Sequence, residues 1–197
     1  MKNGTHKLSY YVINGITLYR IIAAPFLLIL LFTRQYDMFK WLLGVSFFTD
    51  LIDGYLARKY KVASILGTKL DSIGDDLTVL VAMIGLFVTR PAFIKQEKII
   101  FTLLFVLFCV QIIYALIRYR KMTNFHTYLA KTAALLQGVF LLLVFFTSSP
   151  DIFLFYAAAI ITLLELIEEI ILISLLPEWE TNVKGVYWII KKRQKDK

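Results

Sequence analysis

Long apolar blocks separated by short polar or charged stretches dominate the hydropathy pattern. The blocks at 15–32, 39–58, 70–89, 99–117, 131–146 and 152–176 read as six membrane-spanning helices. Residues 1–11 (MKNGTHKLSYY) are polar, with two Lys and two Tyr, and read as an interfacial segment ahead of the first span. They do not make a cleavable signal, because Arg20 interrupts the following apolar run and no small-residue cleavage site comes after it. Pro25 is expected to bend or loosen the first helix, as bundle helices tolerate. The predicted fold is all-α: a polytopic six-helix membrane bundle with an interfacial N-terminal segment, one domain over residues 1–197.

Composition agrees with this class. Of 197 residues, 59% are hydrophobic and 18% charged, and mean hydropathy is +0.71, outside globular norms. The net charge of +8 could suggest nucleic acid. Its cations cluster between the apolar blocks, however, so anionic lipid head groups are the expected partners and nucleic acid is not. The single Cys, Cys109, lies in an apolar run and excludes an internal disulfide.

With six spans both termini share one side. That side carries Arg58, Lys59, Lys61, Lys69, Arg118, Arg120, Lys121, Lys131 and the basic tail, whereas the opposite loops carry Arg34, Lys40, Arg90, Lys95 and Lys98. The asymmetry predicts cytoplasmic termini in a cell inner membrane.

Acids interrupt the second and third spans. Asp50, Asp53, Gly54, Ala57 and Arg58 spell DxxDGxxAR, and eight residues later Gly67, Asp71 and Asp75 spell GxxxDxxxD. Offsets of three and four place each Asp pair on one helix face. Two such faces turned together make an oxygen-rich cage for hard divalent cations. An Asp at a membrane centre costs about 2.5–3.5 kcal/mol, less near the interface, so these acids are read as functional. Gly54 and Ala57 let a phosphate or ribose approach the backbone, and they also suit close helix packing. Asp76 points about 100° away from Asp75 and is read as outside the cage.

Other polar positions leave alternatives open. Asn14, Thr17 and Arg20, spaced by three, form either a helix start with Asn14 as N-cap and Arg20 snorkelling, or a donor face for an anionic diphosphate. The neighbouring acids favour the donor face. Arg118, Arg120, Lys121 and Lys131, with Thr123, Asn124 and His126 among them, are either a site for an acceptor phosphate or ordinary positive-inside flanking. Glu165, Glu168 and Glu169 in the sixth span are expected to pair with Arg20 or Lys131, or else to line an acceptor pocket. Trp179, Tyr187 and Trp188 read as interface anchors, and His6 as a solvated tail residue.

The residues of DxxDGxxAR and GxxxDxxxD match, at all eight positions and with the usual gap, the signature of the CDP-alcohol phosphatidyltransferase family, which this chain therefore resembles. Asn14, Thr17, Arg20 and Pro25 are similar to the NxxTxxRxxxxP run of bacterial members that make phosphatidylglycerophosphate. The resemblance implies transfer of a phosphatidyl group from CDP-diacylglycerol to the hydroxyl of a small polar alcohol, with release of CMP. It implies two Mg²⁺ or Mn²⁺ ions held by Asp50, Asp53, Asp71 and Asp75, with Asp75 also the general base. It further implies a CMP site lined by Asn14, Thr17, Arg20, Gly54, Ala57, Arg58 and Gly67, and a homodimer.

The acceptor is less sharply marked. Makers of phosphatidylglycerophosphate usually carry DPxADK where this chain has Asp71, Ser72, Ile73, Gly74, Asp75 and Asp76. They also carry AKxKTxxQ, of which Ala130, Lys131 and Gln137 match while Ala133 and Ala134 replace the KT pair. Asp71 and Ser72 resemble serine-transferring members, whose VSFG run is absent. The basic cluster favours a phosphorylated acceptor, glycerol 3-phosphate first, with inositol phosphate, serine or another alcohol as alternatives. A membrane cation transporter is the distant alternative; it would not need the Gly, Ala and Arg of the signature.

Overall fold

The computed structural model describes residues 2–60, 65–123, 125–180 and 183–195. Within these, the side chains of 2–14, 16, 51, 53–60, 65–69, 71–72, 192–193 and 195 lie outside the description. Every regular element among the described residues is an α-helix: α1 (Lys2–Phe32), α2 (Tyr36–Tyr60), α3 (Ile65–Thr89), α4 (Pro91–Gln96), α5 (Lys98–Tyr119), α6 (Tyr128–Leu143), α7 (Ile152–Leu175) and α8 (Val186–Lys195). The backbone gathers into two compact units, residues 1–91 with 141–148, and residues 92–140 with 149–197.

In the first unit α1 packs against both α2 and α3. Ala23, Ala24, Leu27, Leu30 and Leu31 recur at helical spacing and are buried against Phe39 and Leu43 of α2 and Val81, Ala82 and Leu86 of α3. The opposite face of α1 is equally apolar yet exposed, with Leu18, Ile22, Phe26, Ile29 and Phe32. A helix apolar on every side suits a lipid surround better than water. Helices α2 and α3 run antiparallel: Phe39 packs on Gly85 at one end, and Asp50 and Asp75 meet a common partner at the other. A Cβ at Gly85 would lie 2.6 Å from the Phe39 ring, so a glycine is what lets α2 and α3 close there. Arg90, just past α3, donates to the carbonyls of Val144 (3.2 Å), Thr147 (2.6 Å) and Ser148 (2.9 Å), closing carbonyls that follow α6.

In the second unit α5 packs on α7, and α8 touches α7. Their contacts keep a nearly constant offset, from Glu97 with Tyr156 through Gln111 with Glu169 to Arg118 with Leu176, so α5 and α7 run parallel. The chain therefore turns back in α6 between them. Phe93, Phe101, Phe140 and Phe155 form an aromatic cluster near the start of α5 and α7. Ala115, Phe125, Leu172, Ile173, Leu176 and Val183 form the core near their ends. Asp151 caps α7, its side chain accepting from the Leu154 N–H at 2.9 Å.

Several boundaries differ from the sequence expectation. Helix α1 already begins at Lys2, so the polar N-terminal segment continues the first helix and Asn14 sits mid-helix, which excludes its N-cap reading. Helix α2 continues to Tyr60 and α3 begins at Ile65, not residue 70, so Asp71 lies in the second turn. Both helices outrun the apolar blocks because backbone hydrogen bonding continues where hydropathy falls. Helix α6 ends at Leu143, and α4 and α8 are additional. Among the described residues only Lys98–Tyr119 is both long and apolar enough to cross a membrane, while Thr17–Phe32 and Tyr128–Leu143 are apolar but shorter. The 24-residue α7 is long enough, but carries Glu165, Glu168 and Glu169. The count of six spans is thus not reached on these criteria.

Candidate active site

Helix α1 carries Thr17 and Arg20 one turn apart on its packed face, both buried. Arg20 is the largest of the fully buried side chains, with 1% of its surface exposed. Its Nη1 donates to Asp50 Oδ1 of α2 at 2.5 Å and also to Asp75 Oδ1 of α3. One guanidinium thus ties three helices together. The two carboxylates are 40% and 44% exposed, although the cation between them is fully buried. Gly74 of α3 faces Arg20: a Cβ there would sit 3.5 Å from Arg20 Cβ and 3.6 Å from its Cζ, in ordinary van der Waals contact.

Two oxygens that bond one nitrogen can be no more than about 6 Å apart, twice a hydrogen-bond length. Carboxylates from two helices therefore converge on one cationic centre. Carboxylate oxygen is the donor type that Mg²⁺ or Mn²⁺ takes, so these residues suit a hard divalent ion by their chemistry. The side chains of Asp53 and Asp71 lie outside the described residues. Both positions are helical, three residues after Asp50 and four before Asp75, hence one turn from each. Asn14, Gly54, Ala57, Arg58 and Gly67 also lie outside the described side chains. Among the described residues no three acidic, His or Cys side chains converge. Asp76 is exposed, turned from its neighbour as the helical period requires.

The basic cluster belongs to the second unit, and two of its cations are engaged structurally. Arg118 Nε and Nη2 donate to Leu176 O at 3.4 and 3.2 Å, beside the Tyr119 hydroxyl at 2.9 Å, capping the end of α7. Lys121 Nζ lies 5.0 Å from the Trp179 ring centre, whose Nε1 donates to Met122 O at 2.9 Å. Arg120 and Lys131 are exposed, and Lys131 lies 5.7 Å from the Tyr128 ring centre. Arg120 and His126 take left-handed backbone angles, φ 55 and 52, at the two bends of this loop.

Two of the three glutamates of α7, Glu168 and Glu169, find neutral partners. Glu169 Oε2 accepts from Gln111 Nε2 at 2.6 Å and from the Thr123 hydroxyl at 3.0 Å, and Gln111 also donates to Thr123. Glu168 Oε1 accepts from the Val186 N–H at 3.2 Å, where α8 begins. No ion pair to Arg20 or Lys131 occurs for Glu168 or Glu169 among the described residues. Gln111 was missed at the sequence level, although a lone amide in an apolar span signals a buried polar partner.

The sequence model of the family described as CDP-alcohol phosphatidyltransferase matches residues 10–172. The chain is 31% identical over 94 residues to a CDP-diacylglycerol–glycerol-3-phosphate 3-phosphatidyltransferase of Haemophilus influenzae, covering 42% of this chain and 50% of that protein. It is 35% identical over 91 residues to a protein of the same name from Pseudomonas fluorescens, covering 40% and 46%. It is 37% identical over 83 residues to a cardiolipin synthase (CMP-forming)/mitochondrial hydrolase fusion protein of Schizosaccharomyces pombe, covering 40% and 13%. The matches thus span about half the length of the bacterial relatives or less. No solved structure matches the chain. With both halves of the signature on adjoining helices and a match running through most of its length, the chain belongs to the CDP-alcohol phosphatidyltransferase family.

Proposed function

We propose that this chain transfers a phosphatidyl group from CDP-diacylglycerol to the hydroxyl of a small polar alcohol, releasing CMP. The observation that carries this is the convergence of Asp50 and Asp75, from two helices, on one buried cationic centre supplied by a third. Family membership and the relatives' names support the reaction class.

Asp50, Asp53, Asp71 and Asp75 would hold Mg²⁺ or Mn²⁺. When bound, two such ions neutralise the diphosphate and stabilise charge on the departing phosphate. The chain's own residues do the rest. Arg20 and Thr17 offer donors beside the diphosphate, with Asn14 one turn further back on α1. Gly54, Ala57, Arg58 and Gly67 line the CMP side. Asp75 accepts the proton of the acceptor hydroxyl, whose oxygen bonds to the lipid-bearing phosphorus as the bond to the CMP oxygen breaks. Its effect as a base would come from its position against the acceptor hydroxyl.

The surround is a membrane. The outward apolar faces of α1 and α5 favour lipid contact, and the parallel run of α5 and α7 with a return in α6 accords with alternating spans. Six spans are proposed from the apolar blocks, and with six the placement of Lys and Arg favours an inner-membrane location with the site on the cytoplasmic side. One catalytic domain is proposed, because the family match runs through both compact units. A homodimer accompanies the family reading.

Glycerol 3-phosphate is the proposed acceptor, supported by the names of the bacterial relatives. All four cations of the basic loop are exposed; Arg120 and Lys131 are the first candidates to meet its phosphate, because Arg118 bonds Leu176 O and Lys121 lies over the Trp179 ring. Ala133 and Ala134, in place of the KT pair, favour inositol phosphate, serine or another alcohol as the second reading. The test is purified protein with CDP-diacylglycerol, Mg²⁺ or Mn²⁺ and each acceptor in turn, scored by lipid product. Phosphatidylglycerophosphate is the expected product; a product only from another alcohol overturns the acceptor.

A further inference from the structure

The buried guanidinium of Arg20 does more than offer donors to a substrate. Its Nη1 occupies the point on which Asp50 Oδ1 and Asp75 Oδ1 converge, and those two carboxylates are among the four assigned to the proposed ion site. A guanidinium and a divalent ion so close together repel, and each is stabilised by the same two carboxylates. Both cannot keep those oxygens in full. The solvent-exposed surface of Asp50 and Asp75 gives an ion its approach, while Arg20 lies fully buried against Gly74 of α3.

We propose that Arg20 is a built-in counter-cation that contends with the divalent ions for Asp50 and Asp75 and so couples ion binding to nucleotide binding. Ion binding loosens the guanidinium from the carboxylates. A diphosphate beside it then offers the freed donors a new anionic partner, so ion and nucleotide favour one another, reciprocally. With no diphosphate present, Arg20 keeps ion affinity low. This rests on the proposed phosphatidyl transfer for the identity of the nucleotide, and it deepens that reading by giving one residue two successive partners.

The test is Mn²⁺ binding followed by electron paramagnetic resonance on purified protein, with and without CDP. Arg20→Gln is expected to bind Mn²⁺ alone about tenfold more tightly than wild type, since a nearby positive charge has been removed. It is also expected to lose the gain in Mn²⁺ affinity that saturating CDP gives the wild type. A residue that only grips the nucleotide would leave Mn²⁺ affinity without CDP unchanged, and that result overturns the proposal. For the case where Arg20→Gln does not fold, nitrogen NMR of wild-type guanidinium groups serves, with the Arg20 signal assigned by its loss in Arg20→Lys. Titration with Mg²⁺ is expected to shift that signal; an unmoved signal at Mg²⁺ saturation overturns the proposal. Wild-type Mn²⁺ binding that is unaffected by Asp50→Asn and Asp75→Asn removes instead the ion site itself, and with it the functional reading.

Discussion

Replacing Glu169 tests the polar knot that joins α5, α7 and the loop between α5 and α6. Glu169 is 9% exposed and Gln111 5%, and both donors to Glu169 Oε2 are neutral. Glu169→Leu leaves the Gln111 amide buried without its carboxylate and the half-buried Thr123 hydroxyl short of one acceptor. An orphaned buried donor costs about 1–3 kcal/mol. Gln111, which keeps its bond to Thr123 but loses its second acceptor, falls in the middle of that range and Thr123, which water can reach, in the lower part. The expected loss is about 3 kcal/mol, a fall in Tm of about 6–12 °C at 2–4 °C per kcal/mol for a chain of this size. Adding Gln111→Leu removes the orphan, so the double variant is expected to recover at least half of the loss. Thermal unfolding in a lipid nanodisc, read by tryptophan fluorescence, measures this directly, with Trp179 reporting on the loop through its bond to Met122 O. A double variant that melts as low as the sum of the single losses, or a single variant that melts like wild type, refutes the reasoning.

Other substitutions probe the packing that supports the site. Gly85→Ala drives a Cβ to 2.6 Å from the ring of Phe39, a fully buried side chain set edge-on to Phe145. It is expected to cost about 1–3 kcal/mol in thermal unfolding, with Phe39→Leu restoring most of the loss. Gly185 has φ 144, and a Cβ there would meet Glu168 Oε1 at 2.8 Å. Gly185→Ala is therefore expected to loosen α8, seen as faster proteolytic trimming of the C-terminal tail while the remaining helices stay protected. Arg90→Met removes three hydrogen bonds to the carbonyls of residues 144, 147 and 148 and is expected to lower stability by about 1–2 kcal/mol, since water reaches part of that site.

The spacing of the acids at 50, 53, 71 and 75 could be turned into helix faces by period alone, and of these Asp50 and Asp75 do meet at Arg20. The helices of the apolar blocks were legible for the same reason, with α5 and α7 reproduced to within a residue or two. What escaped was partnership over distance. Arg20 could be read as a donor, but its bonds to residues 30 and 55 positions away depend on how α1 lies against α2 and α3. Glu168 and Glu169 were matched to cations because charge invites charge, whereas an amide, a hydroxyl and a backbone N–H took them. A cap was the second reading of Asn14, behind the donor face, because the apolar run begins there, although the helix had already started at Lys2. Helices α4 and α8 carry no span-length apolar run, so hydropathy passed them by.

The central claim is that carboxylates gathered from α2 and α3 at Arg20 carry ion-dependent chemistry on a CDP-linked lipid. CMP release from CDP-diacylglycerol in proteoliposomes measures it, with glycerol 3-phosphate as acceptor, before and after chelation and for Asp50→Asn and Asp75→Asn. The account predicts release that stops with chelator, returns with Mn²⁺ or Mg²⁺, and falls by at least about a hundredfold in either variant, as for loss of a catalytic base. Release that persists undiminished under chelation, or in both variants, would contradict it.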